Sequence, residues 1–423
     1  MTIVFQLKSL HPMARRLVAM KFFSYVGLMG SYFIGIMGTL AYTAGGDEWW
    51  TSWCVGMINL AEMVGNMVSG HIVDRVGPRR HFVIAAASIV IASLAFLPLS
   101  TSVGRIMIGA TLVGLAWGLG GPIMQAYPAY LSDDLDELKT INAALNTAVS
   151  SAVVVGPLVG GAISLMAPSQ YVLLFAAAGA LISLIPGLGF TPLRDPNAER
   201  AATQDADNQE QGCASALEGF RVVAGSSTLR LLLVSGFMAF FAYGAFDPLE
   251  TLYYRDVLKA GVEWMGVLSS AAGAGALVGG LALLHLPKRH VNMRTFLVML
   301  MAEGLGCVLY TATGNIAIAL AGQIIVGVAN GAFQPLQTTL IQVHAPLDSV
   351  GRVTAAIGLG YTCSGVAPLL VAPVLANMCG VQAVLVGSGL CVAVFPLIVQ
   401  LIFKDKIAAS VAEERALAEK TGE

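Results

Sequence analysis

Apolar residues run along this chain in blocks of roughly 20, the length at which a helix spans a bilayer core. Twelve blocks are predicted, at 20–42, 51–73, 82–101, 105–129, 141–163, 171–191, 229–252, 264–286, 294–313, 316–342, 351–375 and 381–403. In lipid, only helices of this length satisfy their own backbone hydrogen bonds. The pattern therefore predicts an all-α integral membrane protein with twelve transmembrane helices. One long polar stretch, "TPLRDPNAERAATQDADNQEQGCASALEGFR" at 191–221, divides the blocks six and six and reads as a mostly flexible link. This predicts a six-helix bundle over 1–191, a connector over 192–228, a second bundle over 229–404 and a tail over 405–423.

The two halves repeat one another. "VGLAWGLGGP" at 113–122 aligns with "VGVANGAFQP" at 326–335, and "LDELKTINAA" at 135–144 with "LDSVGRVTAA" at 347–356. A nearly constant offset implies two similar bundles related by an axis normal to the membrane, with functional residues expected between them.

Composition strengthens the membrane reading. Of 423 residues, 56% are hydrophobic and 11% charged, too little polar surface for a water-soluble globule of this size. With a cytoplasmic N-terminus and twelve spans, all but Arg105, Arg255 and Lys259 of the 23 Lys and Arg residues fall on the cytoplasmic side. That bias predicts a cell-membrane protein with both termini cytoplasmic. Lys8, Arg15, Arg16 and Lys21 precede a first block too long for a signal-peptide core, so it is read as a retained span. The scattered cysteines have no metal-ligand or redox spacing, and no nucleophile, base and orienting group cluster as an enzyme requires. No cofactor, metal or nucleic-acid partner is expected.

Ionisable residues inside a span are costly and mark functional positions. Four acids qualify as proton-coupling candidates: Glu62, Asp247, Glu250 and Glu303. Asn59, Glu62, Asn66 and Ser69 share one face of the second span, suited either to a cavity with Glu62 as proton carrier or to a static contact between helices. In the seventh span Tyr243, Asp247, Glu250 and Tyr254 share a face. Asp247 precedes the kink expected at Pro248, and Glu250 is placed towards the outer interface. Glu303 is isolated beside Gly304 and Gly306 and reads either as a second protonation site or as a buried neutral carboxyl. Gln323, Asn330, Gln334 and Gln337 form a ladder on the tenth span, and Trp117 and Gln125 lie on its repeat partner. Together they suit a pocket for amphipathic solutes, or hydrogen bonding between helices. The histidines lie near span ends and read as interfacial.

"GHIVDRVGPRR" at 70–80 resembles the signature of the major facilitator superfamily, carried here by Gly70, Asp74, Arg75, Gly77, Arg79 and Arg80. "GPLVGG" is similar to the antiporter motif of that superfamily's drug exporters, with Gly156, Pro157, Gly160 and Gly161 supplying it. The family's preceding glycine is Ala152 here, and the Arg that exporters often carry in span four is missing from Val113–Gly121. "LEGFRVVAGSSTLRLLLVSGFMAFFAYGAFDPLETLYYRDVL" (217–258) and "TLIQVHAPLDSVGRV" (339–353) resemble the twelve-span branch that includes macrolide-efflux and enterobactin-exporter proteins.

The resemblance implies export driven by proton entry and identifies no substrate; joined to the pocket residues above, it gives the expectation of a monomeric exporter of amphipathic small molecules working by alternating access. It also implies an inner gate, in which Asp74 meets the start of span eleven and Gly70 permits close helix approach. Arg75 and Arg79 have acids available in Asp133, Asp134 and Asp136. A proton-coupled symporter importing a small metabolite is the competing expectation.

Overall fold

The computed structural model describes residues 10–121, 123, 126–132, 134–193, 212–346 and 349–420. Every element among them is helical. The chain divides into two compact units, Met1–Ala206 with Ala260–Ser270, and Asp207–Lys259 with Ala271–Glu423.

The first unit contains α1 (Pro12–Gly30), which continues to Thr43 with wider turns, then α2 (Glu48–Val76), α3 (Pro78–Leu99), α4 (Val103–Leu119), α5 (Leu135–Ser164) and α6 (Val172–Leu188). It also takes the opening of α10 (Val262–Leu284). The second unit contains α7 (Gly212–Gly225), α8 (Ser227–Tyr243), α9 (Phe246–Leu252) and the remainder of α10. It continues through α11 (Met293–Thr311), α12 (Ile316–His344), α13 (Val350–Ser364), α14 (Val366–Cys379), α15 (Val381–Ile402) and α16 (Lys404–Lys420).

Local chemistry sets the ends of these helices. Asp47 accepts hydrogen bonds from the Trp49 and Trp50 amides, Asn292 from that of Thr295 and Asn315 from that of Ala317, each starting its helix from the preceding loop. Gly77, at φ +78°, ends α2, and Pro78 opens α3 at a position where its missing N–H costs nothing. Within the helices Thr111, Thr147, Thr338 and Thr339 return their hydroxyls to the carbonyl four residues back, so the side chain satisfies itself in an apolar setting.

Packing follows membrane rules. Leu60, Met67, Ile91, Ile108, Ile185 and Leu401 lie on the outside, while small residues line the seams. A Cβ on Gly114 would press on the Ile58 carbonyl, and one on Gly118 on that of Glu62, so α2 and α4 approach at backbone distance. The "GPLVGG" glycines do the same for α5, with Gly156 lying on Val26 and Gly30 of α1 and Gly161 on Glu263 and Gly266 of α10. At the loop-bearing end of the first unit, Leu17, Met20, Phe82, Tyr127, Ile141 and Phe190 form a core. In the second unit Leu232, Phe296, Leu300, Phe333, Leu340 and Ile407 do so.

Several expectations change. Ten helices among the described residues are long and apolar enough to cross a membrane. The other two expected spans are α2, whose 29 residues include Asn59, Glu62 and Asn66, and α4, which is apolar but has only 17. The block expected at 105–129 ends as a helix at Leu119, because Gly120, Gly121 and Pro122 follow. Its repeat partner α12 runs through Pro335 to His344. The seventh block is interrupted at Gly244–Ala245, one turn before Pro248, in keeping with the expected kink. The eleventh is interrupted at Gly365, three residues before Pro368.

The polar link is also shorter than expected, since α7 occupies 212–225. The tail forms α16, whose Ile407 and Val411 are buried in the second unit's core. A Cβ on Gly70 would meet nothing nearby, so the close helix approach expected there falls one turn earlier, at Gly65 against Leu115 and Gly118.

Candidate functional site

In the first unit, the polar face of α2 divides by depth. Asn59 is exposed, Glu62 and Asn66 are half-buried, and Ser69 is fully buried. Glu62 and Asn66 line a cavity of about 210 Å³ together with Lys21, Ser24, Tyr25 and Trp117. Trp117 reaches it because the glycine seam brings α4 against α2. Its ring lies edge-to-face with Tyr32 at 5.6 Å and with Tyr25 at 6.4 Å between centroids. Lys21 Nζ sits 4.3 Å from the centre of the Tyr25 ring, a cation over an aromatic face. Gln125, expected beside Trp117, lies outside the described residues.

Sequence reasoning missed the place of Lys21, counting it among the basic residues ahead of the first span. It lies within the continuous helix Pro12–Thr43, one turn before Tyr25. That i, i+4 spacing was the available signal.

Below the cavity, the charged loop encloses a histidine. His81 is 1% exposed, with Nε2 2.6 Å from Ser69 Oγ and Nδ1 2.6 Å from the Tyr127 hydroxyl. Ser69 donates to the Leu119 carbonyl at 2.7 Å, and Tyr127 to that of Pro78 at 2.7 Å. His81 lies in the first turn of α3, at a span end as expected, but its ring is buried and ties α2, α3 and the 127–130 turn together. His344 ends α12, and its ring too is buried and meets Glu414 of α16 at 2.9 Å.

Around this tie, Gly77 makes the turn, and Asp74, Arg75, Arg79 and Arg80 lie at the surface. Asp134 accepts the Glu137 amide. Asp133 and the Asp136 side chain lie outside the described residues.

The second unit holds a different acidic centre. Glu250 on α9 turns its carboxyl onto α11 and α12 near the connection between them. Its Oε1 accepts from the Tyr254 hydroxyl at 2.9 Å, the Tyr310 hydroxyl at 2.5 Å and Gln323 Nε2 at 2.7 Å. Tyr253 supports the cluster by donating to the Tyr310 and Thr313 carbonyls. Asp247 is half-buried on the same short helix, and Tyr243 stacks on Phe246 at 5.1 Å. Tyr310 was not singled out from the sequence. Its spacing from Glu303, i and i+7, places both on one face of α11.

Glu303 is 5% exposed and accepts from Asn330 at 3.1 Å. The amide ladder of α12 is thus divided among partners. Gln323 serves Glu250, Asn330 serves Glu303, Gln337 is buried, and Gln334 faces outward.

Two helical units built from a sequence repeat, with ionisable groups held inside bilayer-length helices, define a multi-pass membrane transporter. The model of the Major Facilitator Superfamily matches residues 17–369. The chain belongs to that superfamily. No curated protein sequence matches it.

Among solved structures, the chain is similar to a POT family transporter in complex with a thioalcohol-conjugated peptide, at a TM-score of 0.69 and 12% identity, covering 95% of this chain and 99% of that one. It is similar to the nucleoside transporter NupG at a TM-score of 0.65 and 13% identity, covering 93% and 99%. A bacterial metal transporter matches at 0.66 and 13%, covering 92% and 98%. At such identities these likenesses establish the fold.

Proposed function

We propose that this transporter exports amphipathic small molecules of drug, macrolide or siderophore type in exchange for protons, by alternating access. The observation that carries the reading is the aromatic cavity of the first unit, where Glu62 stands half-buried beside Lys21 and Trp117. A carboxyl within a span, open to a cavity, can take up and release a proton as solute comes and goes. A bias of about 1–3 kcal/mol between the two access states is enough to couple the events. Asp247 is the second proton-coupling group in this reading, and "GPLVGG" is the feature that favours export.

The protein is read as a monomer of twelve spans in the cell membrane, with both termini cytoplasmic. In this reading α2 and α4 complete the set, and the Asp74 loop acts as an inner gate.

The test is solute-dependent proton release in proteoliposomes under an imposed pH gradient, across a panel of lipophilic drugs and siderophores. Release with at least one solute class is the expected result, and none with any sinks the reading. Import of a small metabolite by proton symport is the second reading, favoured by the amides of α12 and the missing Arg in 113–121. Direction of solute movement in inverted vesicles separates the two.

A further inference from the structure

Lys21 and Glu62 line the same cavity, yet among the described residues no ion pair joins them. Inside a membrane-spanning bundle, opposite charges gain most by meeting with good geometry. Each meets other groups of the lining instead.

Lys21 is drawn onto the Tyr25 face at 4.3 Å, which covers one side of an ammonium that has three donors to offer. Ser24 donates its hydroxyl proton to the Lys21 carbonyl at 3.1 Å. Glu62 is fixed where the Gly118 seam presses α2 onto α4, with the Asn66 amide one turn further along. Trp117, Phe82, Leu28 and Ile89 give the rest of the lining its apolar character.

We propose that this cavity binds a small zwitterionic solute with a flat apolar body, its anionic group on Lys21, its ammonium on Glu62 and its body along Trp117. The volume supports a small occupant. About 210 Å³ is the space of roughly seven water molecules at about 30 Å³ each. That is below the roughly 300–1,000 Å³ of pockets that hold drug-sized ligands. An occupant of amino-acid size fits. The inference rests on the transport reading for its setting and departs from it in the solute, an amino-acid-sized zwitterion in place of a macrolide or siderophore.

Binding is measured on the full chain in lipid nanodiscs by equilibrium dialysis, with three ligands that share one ring: L-tyrosine, tyramine without the carboxylate, and 3-(4-hydroxyphenyl)propionate without the ammonium. L-tyrosine is expected to bind about tenfold to a hundredfold more tightly than either analogue, the span of one charge-assisted hydrogen bond. Lys21→Met should lower L-tyrosine to the affinity of tyramine, and Glu62→Gln to that of the propionate. The exchanged pair Lys21→Glu with Glu62→Lys should regain binding, which a misfolded protein cannot do.

Equal affinity for the three ligands, no binding of L-tyrosine, or a preference unchanged in both single variants overturns the proposal. Unchanged preference would mean that the two charges only compensate one another. L-tyrosine binding without solute-dependent proton release in proteoliposomes counts against the antiport reading and leaves this one standing. Release driven by uncharged drugs, with no zwitterion preference in binding, does the reverse.

Discussion

Glu62 and Glu250 are both carboxyls carried inside apolar helices, and their surroundings differ in kind. Glu250 has one oxygen held by two tyrosine hydroxyls and an amide. Glu62 faces a cavity that Lys21 also lines. A carboxyl that already satisfies three donors is a structural knot, because moving it leaves those donors unpartnered. A carboxyl facing space can exchange partners at little cost. The comparison teaches that depth in a span does not by itself mark a working acid. What also counts is how many fixed groups depend on it.

The largest contrast should be in transport. Glu62→Gln is expected to reduce gradient-driven solute flux to background while the protein still reaches the membrane at wild-type level. Glu250→Gln should retain measurable flux, since its amide oxygen can still accept from both tyrosines. Flux assays on the two variants in proteoliposomes make the comparison, and full activity in the Glu62 variant would break it.

Stability should order the same two residues the other way. Glu250→Ala strands the donors of Tyr254, Tyr310 and Gln323 and should cost about 2–4 kcal/mol. Glu62→Ala should cost less than about 1 kcal/mol, as expected for a group that faces a cavity. Thermal unfolding of the purified proteins reads both.

His81→Ala should fall between these, at about 1–3 kcal/mol, because it orphans the contacts to Ser69 and Tyr127 inside the loop-bearing end of the first unit. The same melting assay checks it. The smallest effect is expected for Arg352→Ala, which removes a half-exposed ion pair with Glu218 and should change stability by less than about 1 kcal/mol.

Much of the architecture was legible from periodicity alone. The apolar blocks, the polar stretch that separates the halves and the kink before Pro248 all follow from local preferences that a helix in lipid cannot evade. The repeat shows where such reading stops. "VGLAWGLGGP" and "VGVANGAFQP" share length and a terminal proline. The first ends its helix at Leu119 because two glycines precede Pro122, whereas the second keeps Phe333 and Gln334 there and continues through Pro335. The alignment favoured one outcome for both, and the backbone entropy of two residues divided them.

The candidate site was legible as residue types and only partly as partners. Glu62, Asn66 and Trp117 were picked out by face and repeat, and they do share one cavity. Lys21 was hidden because a basic residue before the first apolar block reads as a topology anchor. His81 was hidden because charged neighbours at 79 and 80 suggest a surface.

By itself, the sequence determined the bilayer-length helices, their caps and breaks, the two-half repeat and the supply of polar groups placed inside the spans. These depend on residues close along the chain. Only the tertiary structure decided which carboxyl is tied and which faces a cavity, where Gly114 and Gly118 let α4 carry Trp117 to Glu62, and how His81 came to lie between two hydroxyls. Those outcomes depend on backbones meeting at van der Waals distance across many residues of sequence; the Gly114–Gly118 spacing marks a helix that can be approached closely but not which helix meets it.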